Sequence, residues 1–263
     1  MCRASIRLVF TVEERNDLLE RVLAFGQKDD RVVAGAVVGS LALEGGDPFS
    51  DVDLTFAVAD SVPVANVLDD WTRTLLHELD AVTLVDLERG PTTYRVFLLP
   101  DALQLDLSMT PAAEFHPAGP RFRLRFGETV SGESETVTGS LFIDTPAVGE
   151  DVFGWGIIYA LHARACIERR RVWQAEHYIG AVRDHALSLA CLREGTTAVQ
   201  ARGYDDLSIE TRSRFAETHV GALEPDALRG ALATSVRALI GEGRQARLAN
   251  ADLVADRLDD LAR

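Results

Sequence analysis

The sequence has few of the features on which disulfide-stabilised, thiolate-metal and membrane proteins depend. Its 263 residues include three cysteines, Cys2, Cys166 and Cys191, which form no even set for disulfide pairing and have no metal-ligand spacing. No stretch approaches the roughly 20 apolar residues that span a bilayer, and no signal-peptide pattern is visible. These absences predict a cytoplasmic protein with no membrane partner, in which Cys166 and Cys191 are reduced core residues.

Positive charge is also scarce. The chain has 27 Lys and Arg against 41 Asp and Glu, a formal charge of −14, and most of the acidic excess lies in residues 1–145. A nucleic-acid binder normally presents a basic face, so we expect no nucleic-acid partner. An acidic cleft would attract metal cations or a cationic small molecule, although net charge also serves solubility. The apolar content of 47% is ordinary, which argues against disorder.

A strand, a tight turn and a pair of acids follow one another near the start of the chain. Residues 31–38 form a run that is apolar after Arg31 and rich in β-branched valine, which predicts a buried strand. Gly39 and Ser40 break this strand, and backbone N–H groups at such a turn make a phosphate cradle. Asp51 and Asp53 open the next apolar run, where alternation places both carboxylates on one face. A divalent cation is the usual partner of such a pair, while a solvated turn is the alternative.

A third acid fits the same scheme. Residues 94–99 and 103–108 predict two strands joined by a turn at Pro100. Asp106 interrupts the second apolar run, and a lone buried aspartate is costly unless it is paired or binds metal. We therefore expect this strand to lie beside the strand that carries Asp51 and Asp53.

These residues resemble the nucleotidyltransferase signature of the DNA polymerase β superfamily: a Gly-Ser turn, ten further residues, Asp-x-Asp, and a later strand aspartate. Within that superfamily, the length and the helical second half look most like the enzymes that adenylylate aminoglycosides or lincosamides. The motif spans about residues 31–108. One departure is that members often carry a small residue, Arg and Gly after the Gly-Ser, where this chain has Leu41, Ala42 and Leu43.

The resemblance implies a metal-dependent transfer of AMP from ATP, or from another nucleoside triphosphate, to a hydroxyl of a small molecule. Asp51, Asp53 and Asp106 would hold Mg²⁺, in all two ions, and are the implied catalytic residues. Gly39, Ser40 and Ser50 would bind the nucleotide. Asp106 could also accept the proton of the acceptor hydroxyl.

Three residues of the second half complete the predicted site. Arg183 and Arg169 are the candidate cations for the leaving pyrophosphate, and Glu176 is a candidate substrate contact or auxiliary base. Glu176 and Arg183 lie seven residues apart on one helix and so point the same way, with Gly180 between them leaving room for a ligand. A charged pair on an outer helix face is the alternative.

The order of predicted elements indicates an α+β fold. A nucleotidyltransferase domain, residues 1–145, would have a mixed β-sheet flanked by helices that pack on one side. A helical bundle, residues 146–263, would follow and bind substrate and nucleotide. A capping box at Thr11 and Glu14 predicts the start of the first helix, and Gly195 closes a helix over about 172–193. The sequence leaves open whether the protein is a monomer or a homodimer.

Two other interpretations stay open. The chain could be a nucleotidyltransferase-like antitoxin, or a protein that modifies or binds a toxin; the spacing of Arg171 and His177 resembles that of helical RNase toxins, and an ordinary surface histidine is the alternative. Separately, Arg121, Arg123 and Arg125 alternate with apolar residues. This pattern is typical of a solvated edge strand, with phosphate contact as the alternative.

Overall fold

The computed structural model describes residues 10–43, 46–117, 120–130 and 149–261. The chain divides into two compact units, residues 1–141 and 142–263. The predicted domain boundary at 145/146 lies outside the described residues and stays a prediction. Each unit is treated by itself below.

The first unit is a mixed sheet with two helices. Its described helices are α1 (Val12–Lys28) and α2 (Val64–Glu78), and its strands are β1 (Val32–Val38), β2 (Val52–Val58), β3 (Val82–Arg89), β4 (Thr92–Leu98), β5 (Gln104–Pro111) and β6 (Phe122–Phe126). Short 3₁₀ turns lie at Gly39–Ala42, Pro100–Ala102 and Ala112–Glu114. The predicted capping box is present, since the Thr11 hydroxyl accepts from the backbone of Glu14 and the Glu14 side chain accepts from the backbone of Thr11.

The six strands are ordered β3-β4-β5-β2-β1-β6. The β2–β5 pair is parallel, and the other four pairs are antiparallel. Strand β6 is an edge strand, as the alternating arginines predicted. The parallel register places Asp53 directly opposite Asp106.

One face of the sheet carries the core of this unit. Alternate residues of β2 and β5, including Leu54, Phe56 and Leu107, pack against α1 and α2 around the fully buried Trp71. Because strand side chains alternate between faces, the residues between them, Asp53 and Asp106, lie on the face away from these helices. The predicted α+β fold class, with helices on one side of a mixed sheet, is confirmed.

The second unit is helical. It contains α3 (Gly149–Glu168), α4 (Val172–Glu194), α5 (Ile209–Ser213), α6 (Pro225–Gln245) and α7 (Ala251–Arg257), with short 3₁₀ turns at Val199–Ala201, Ala216–Thr218 and Asp259–Leu261. Helices α3, α4 and α6 pack against one another. Gly195 ends α4 in the left-handed region at φ 72°, as predicted for a glycine cap. Cys166 and Cys191 are both buried and free.

Helices long and apolar enough to cross a membrane are not found among the described residues.

Candidate metal and nucleotide site

Three carboxylates converge where β2 and β5 run side by side. Asp51 immediately precedes β2, Asp53 is the second residue of β2, and Asp106 is the third residue of β5. Each of the three offers an oxygen atom, and these oxygens lie within 4.8 Å of one another. The parallel pairing of the strands produces this arrangement, because it brings two acids that are 53 residues apart in sequence into one register.

Burial and mutual repulsion act on the protonation of these acids. The pKa of Asp53 is raised well above its ordinary value, chiefly because the side chain is buried and then because Asp51 and Asp106 are close by. Burial, followed by the charge of Asp51, raises the pKa of Asp106 to about 7, and a hydrogen bond from Gln104 opposes this shift. A cation among the three oxygens would relieve the repulsion, since an opposite charge favours the ionised form.

The turn after β1 lies directly against this acidic cluster. Gly39 has a φ of 66°, and a Cβ atom at this position would come within 2.0 Å of the Asp53 Oδ2 atom. Only glycine therefore fits, both for its backbone conformation and for its approach to the carboxylate. The Ser40 hydroxyl oxygen is buried without a hydrogen-bond partner among the described residues, which is uncommon for a polar group.

These observations fit a metal-bound triphosphate. Hard cations such as Mg²⁺ are held by carboxylate oxygens, and the acidic cluster supplies three. A side chain at position 39 would fill the space that the turn leaves beside Asp53. The Ser40 hydroxyl is a donor still in need of an acceptor, and a phosphate oxygen would supply one.

Ser50 stabilises the loop that leads into Asp51. Its hydroxyl accepts from the backbone N–H of Asp47 at 3.1 Å and donates to the Asp47 carboxylate at 3.2 Å. The buried Arg15 also holds this loop, because its guanidinium donates to the Asp47 carbonyl oxygen at 2.6 Å. The nucleotide contact predicted for Ser50 stays a prediction, while its role in shaping the loop is visible.

The predicted residues of the second half lie on α4 and in the turn between α3 and α4. Arg183 donates to Asp184 at 3.2 Å, and a Cβ at Gly180 would lie 3.4 Å from the Arg183 Nη2 atom. The arginine side chain thus extends alongside the glycine. The expectation that Gly180 leaves room for a ligand stays a prediction. Glu176 is half-buried on α4, and Arg169 follows the end of α3. Their roles toward a substrate stay predictions.

The arginines of β6 and His177, which the sequence pattern singled out, contact nearby residues. Arg125 pairs with Glu20 of α1 at 2.9 Å, whereas Arg123 donates to the Leu41 carbonyl oxygen at 3.3 Å. Arg123 and the buried Arg15 line a cavity of about 300 Å³ next to the turn at Gly39–Ala42. His177 is exposed, and its ring lies 5.5 Å from the ring of Tyr178.

Sequence reasoning missed Gln104. Its Nε2 atom donates to Asp106 Oδ1 at 2.8 Å, and the side chain is only 4% exposed. A signal was present, since residues 104 and 106 are two apart on a predicted strand and therefore share a face. An amide beside a buried acid is a natural hydrogen-bond partner for it.

Comparisons with known proteins add little. No protein-family model matches the chain, and no curated protein matches its sequence. Among solved structures, an aminoglycoside 6-adenyltransferase from Bacillus subtilis is similar at 13% sequence identity, with 93% of this chain and 91% of that chain covered and a TM-score of 0.32. Similarity at this level identifies no activity for the chain.

Proposed function

We propose that the protein catalyses the Mg²⁺-dependent transfer of a nucleoside monophosphate, AMP from ATP, to a hydroxyl of a small molecule, with release of pyrophosphate. The observation that carries this proposal is the convergence of Asp51, Asp53 and Asp106 within 4.8 Å. They meet beside a glycine turn whose serine hydroxyl is buried and has no hydrogen-bond partner in the part of the chain that the structure describes. An acidic cluster and a phosphate cradle in direct contact match the two parts of a metal–triphosphate complex.

Each acid has a distinct part in this proposal. Asp51 and Asp53 would hold a Mg²⁺ ion that the triphosphate also binds, and Asp106 would hold a second ion. When bound, the two ions stabilise the attacking and the leaving oxygen of an in-line displacement. Strands β2 and β5 fix the spacing of Asp53 and Asp106, so these ligands are ordered before the nucleotide arrives.

In the transfer step, the acceptor oxygen bonds to the α-phosphorus while the bond from that phosphorus to the bridging oxygen of pyrophosphate breaks. The hydroxyl proton passes to the Asp106 carboxylate; Glu176 is the alternative acceptor, proposed from the sequence alone. The Ser40 hydroxyl donates to a phosphate oxygen, and Ser50 keeps the loop before Asp51 in place. Arg183 and Arg169 are proposed, from the sequence alone, as the cations that balance the charge of the departing pyrophosphate.

Aminoglycosides and lincosamides are the proposed acceptors. Both classes carry several hydroxyls, and the amines of an aminoglycoside suit the acidic first half of the chain. No feature of the described site selects one nucleotide base, so ATP is tested first and the other nucleoside triphosphates are tested after it.

The proposal is tested with labelled ATP, Mg²⁺ and a panel of aminoglycosides and lincosamides, with pyrophosphate release and labelled product as readouts. Asp51→Asn and Asp53→Asn should each reduce turnover by at least ~10³-fold, because they remove ligands that stabilise the transition-state charge. Asp30→Asn, a change at an exposed acid of the same unit, should have no effect. Near-normal turnover in a folded Asp53→Asn protein would refute the metal role.

A second outcome would favour the toxin-partner interpretation. No pyrophosphate would appear with any acceptor, while a stoichiometric partner protein would copurify with the full chain. Calorimetry measures whether Mg²⁺ strengthens nucleotide binding. An affinity for ATP that does not depend on Mg²⁺ would count against a metal site at the three acids.

A further inference from the structure

Gln104 is a buried polar side chain in contact with Asp106, one of the three acids. It begins β5 and is 4% exposed. Burying an amide is costly unless its polar atoms form hydrogen bonds. Its side-chain amide donates a hydrogen bond to Asp106 at 2.8 Å.

The orientation of the amide follows from the charge of its neighbour. Turning the amide over would place its Oε1 atom against an oxygen of Asp106, and two oxygens at hydrogen-bond distance repel when the acid is ionised. In the observed orientation, Nε2 donates and Oε1 is buried with no hydrogen-bond partner among the described residues. Leaving a buried acceptor unpaired is unfavourable, so the hydrogen bond to Asp106 is kept at the expense of the amide oxygen.

A neutral donor suits a metal ligand better than a cation would. A Lys or Arg beside Asp106 would form an ion pair with the carboxylate and compete with Mg²⁺ for its charge. An amide orients the same carboxylate and leaves its negative charge available. It also engages one oxygen, Oδ1, and leaves Oδ2 to face other partners.

We propose that Gln104 is the positioning residue for Asp106: its amide fixes the carboxylate in the rotamer that brings an oxygen toward Asp51 and Asp53. This inference rests on the proposed function. Partners that orient metal ligands from outside the coordination shell typically change metal affinity or activity by 10- to 100-fold when they are removed.

The test measures Mn²⁺ binding by electron paramagnetic resonance, so it does not depend on knowing the acceptor. Gln104→Met keeps the length of the side chain and removes the donor. We expect the Mn²⁺ dissociation constant to rise ~10- to 100-fold, with kcat for transfer reduced and the KM for ATP little changed. Gln104→Asn retains an amide that is one methylene shorter, so the same loss is expected if reach to Asp106 matters.

Thr110→Val is the matched control. Thr110 lies on the same strand and the same face, is buried, and has a hydroxyl without a partner among the described residues. Its replacement should leave Mn²⁺ binding unchanged. A merely structural role for Gln104 would lower the melting temperature without changing the Mn²⁺ affinity of the folded protein.

The possible results distinguish a failure of the proposed function from a failure of the positioning role of Gln104. If the wild-type protein binds no Mn²⁺, both the proposed function and this inference are overturned. If the wild-type protein binds Mn²⁺ and a folded Gln104→Met or Gln104→Asn protein binds it equally well, only the positioning role is overturned. Weakened binding in both Gln104 variants, but not in Thr110→Val, supports the inference.

Discussion

Replacing Asp106 with asparagine should stabilise the metal-free protein while destroying its metal site. The pKa of Asp106 is raised from 3.8 to about 7 in the folded chain. Each pKa unit corresponds to about 1.4 kcal/mol, so ionising this acid costs the folded state about 4 kcal/mol above pH 7. Because the charges of Asp53 and Asp106 repel each other and their titrations are therefore linked, only part of this cost belongs to Asp106. We therefore expect Asp106→Asn to raise the free energy of unfolding of the metal-free protein by about 2–4 kcal/mol.

The sign of the pH dependence follows from proton counting. Between about pH 4 and pH 7, folded Asp106 retains a proton that the unfolded chain has lost. The free energy of unfolding of the wild-type protein therefore falls as pH rises through this window, and this contribution is level above it. The asparagine variant has no such group at position 106. The difference in the free energy of unfolding between Asp106→Asn and the wild type should be absent near pH 4 and reach its full size by pH 8.

Urea unfolding followed by the fluorescence of Trp71 measures this difference in the right unit, because Trp71 is fully buried beneath the sheet. The other two tryptophans, Trp155 and Trp173, lie in the helical unit and are replaced by phenylalanine in every protein compared. The buffer contains EDTA at pH 4 to 8. Asp30→Asn, at an exposed position, is the control and should behave as the wild type.

In excess Mg²⁺, the wild type should become more stable than Asp106→Asn. Binding to the folded state alone raises the free energy of unfolding by mass action, and the wild type should gain this stabilisation while Asp106→Asn gains little. The reasoning is refuted if Asp106→Asn is no more stable than the wild type at pH 8 in EDTA although its circular dichroism is native.

Three further changes test other parts of the structure. Gly39→Ala should abolish turnover and lower the free energy of unfolding by about 1–3 kcal/mol, because its Cβ would lie 2.0 Å from the carboxylate of Asp53. Gly90→Ala is the control: it is also at positive φ but would meet no atom within 4 Å, so it should lose a similar amount of stability and keep its activity. Asp29→Asn should lower the urea midpoint at pH 7, and the deficit should shrink as pH falls below 4, because hydrogen bonds from arginine and tryptophan side chains hold the pKa of this acid well below its usual range. Glu242→Gln should cost about 1–3 kcal/mol, because hydrogen bonds to charged groups are lost while both arginines still reach solvent. Urea denaturation followed by far-ultraviolet circular dichroism measures this cost, and an unchanged midpoint would contradict the pairing of this 2% exposed acid with two arginines at 2.8 and 2.9 Å.

Local sequence signals predicted much of the framework. The capping box at Thr11 and the glycine cap at Gly195 work through hydrogen bonds and backbone conformations within a few residues, so they can be identified without a fold. Period-two alternation placed Asp51 and Asp53 at a strand start, and the same logic identified Asp106 as an acid within an apolar strand. The α+β class followed from the order of these segments.

The sequence by itself determined which residues could bind a metal and on which kind of element each lies, because these properties depend on residue type and local periodicity. Only the tertiary structure decided that β2 and β5 are parallel neighbours, and that pairing brings Asp53 opposite Asp106. It also decided that Gly39 lies against Asp53 and that Gln104 donates to Asp106. Strand pairing and burial depend on side chains far apart in the chain, so the raised pKa values of the acids, and the repulsion that a cation would relieve, emerge only once the sheet has formed.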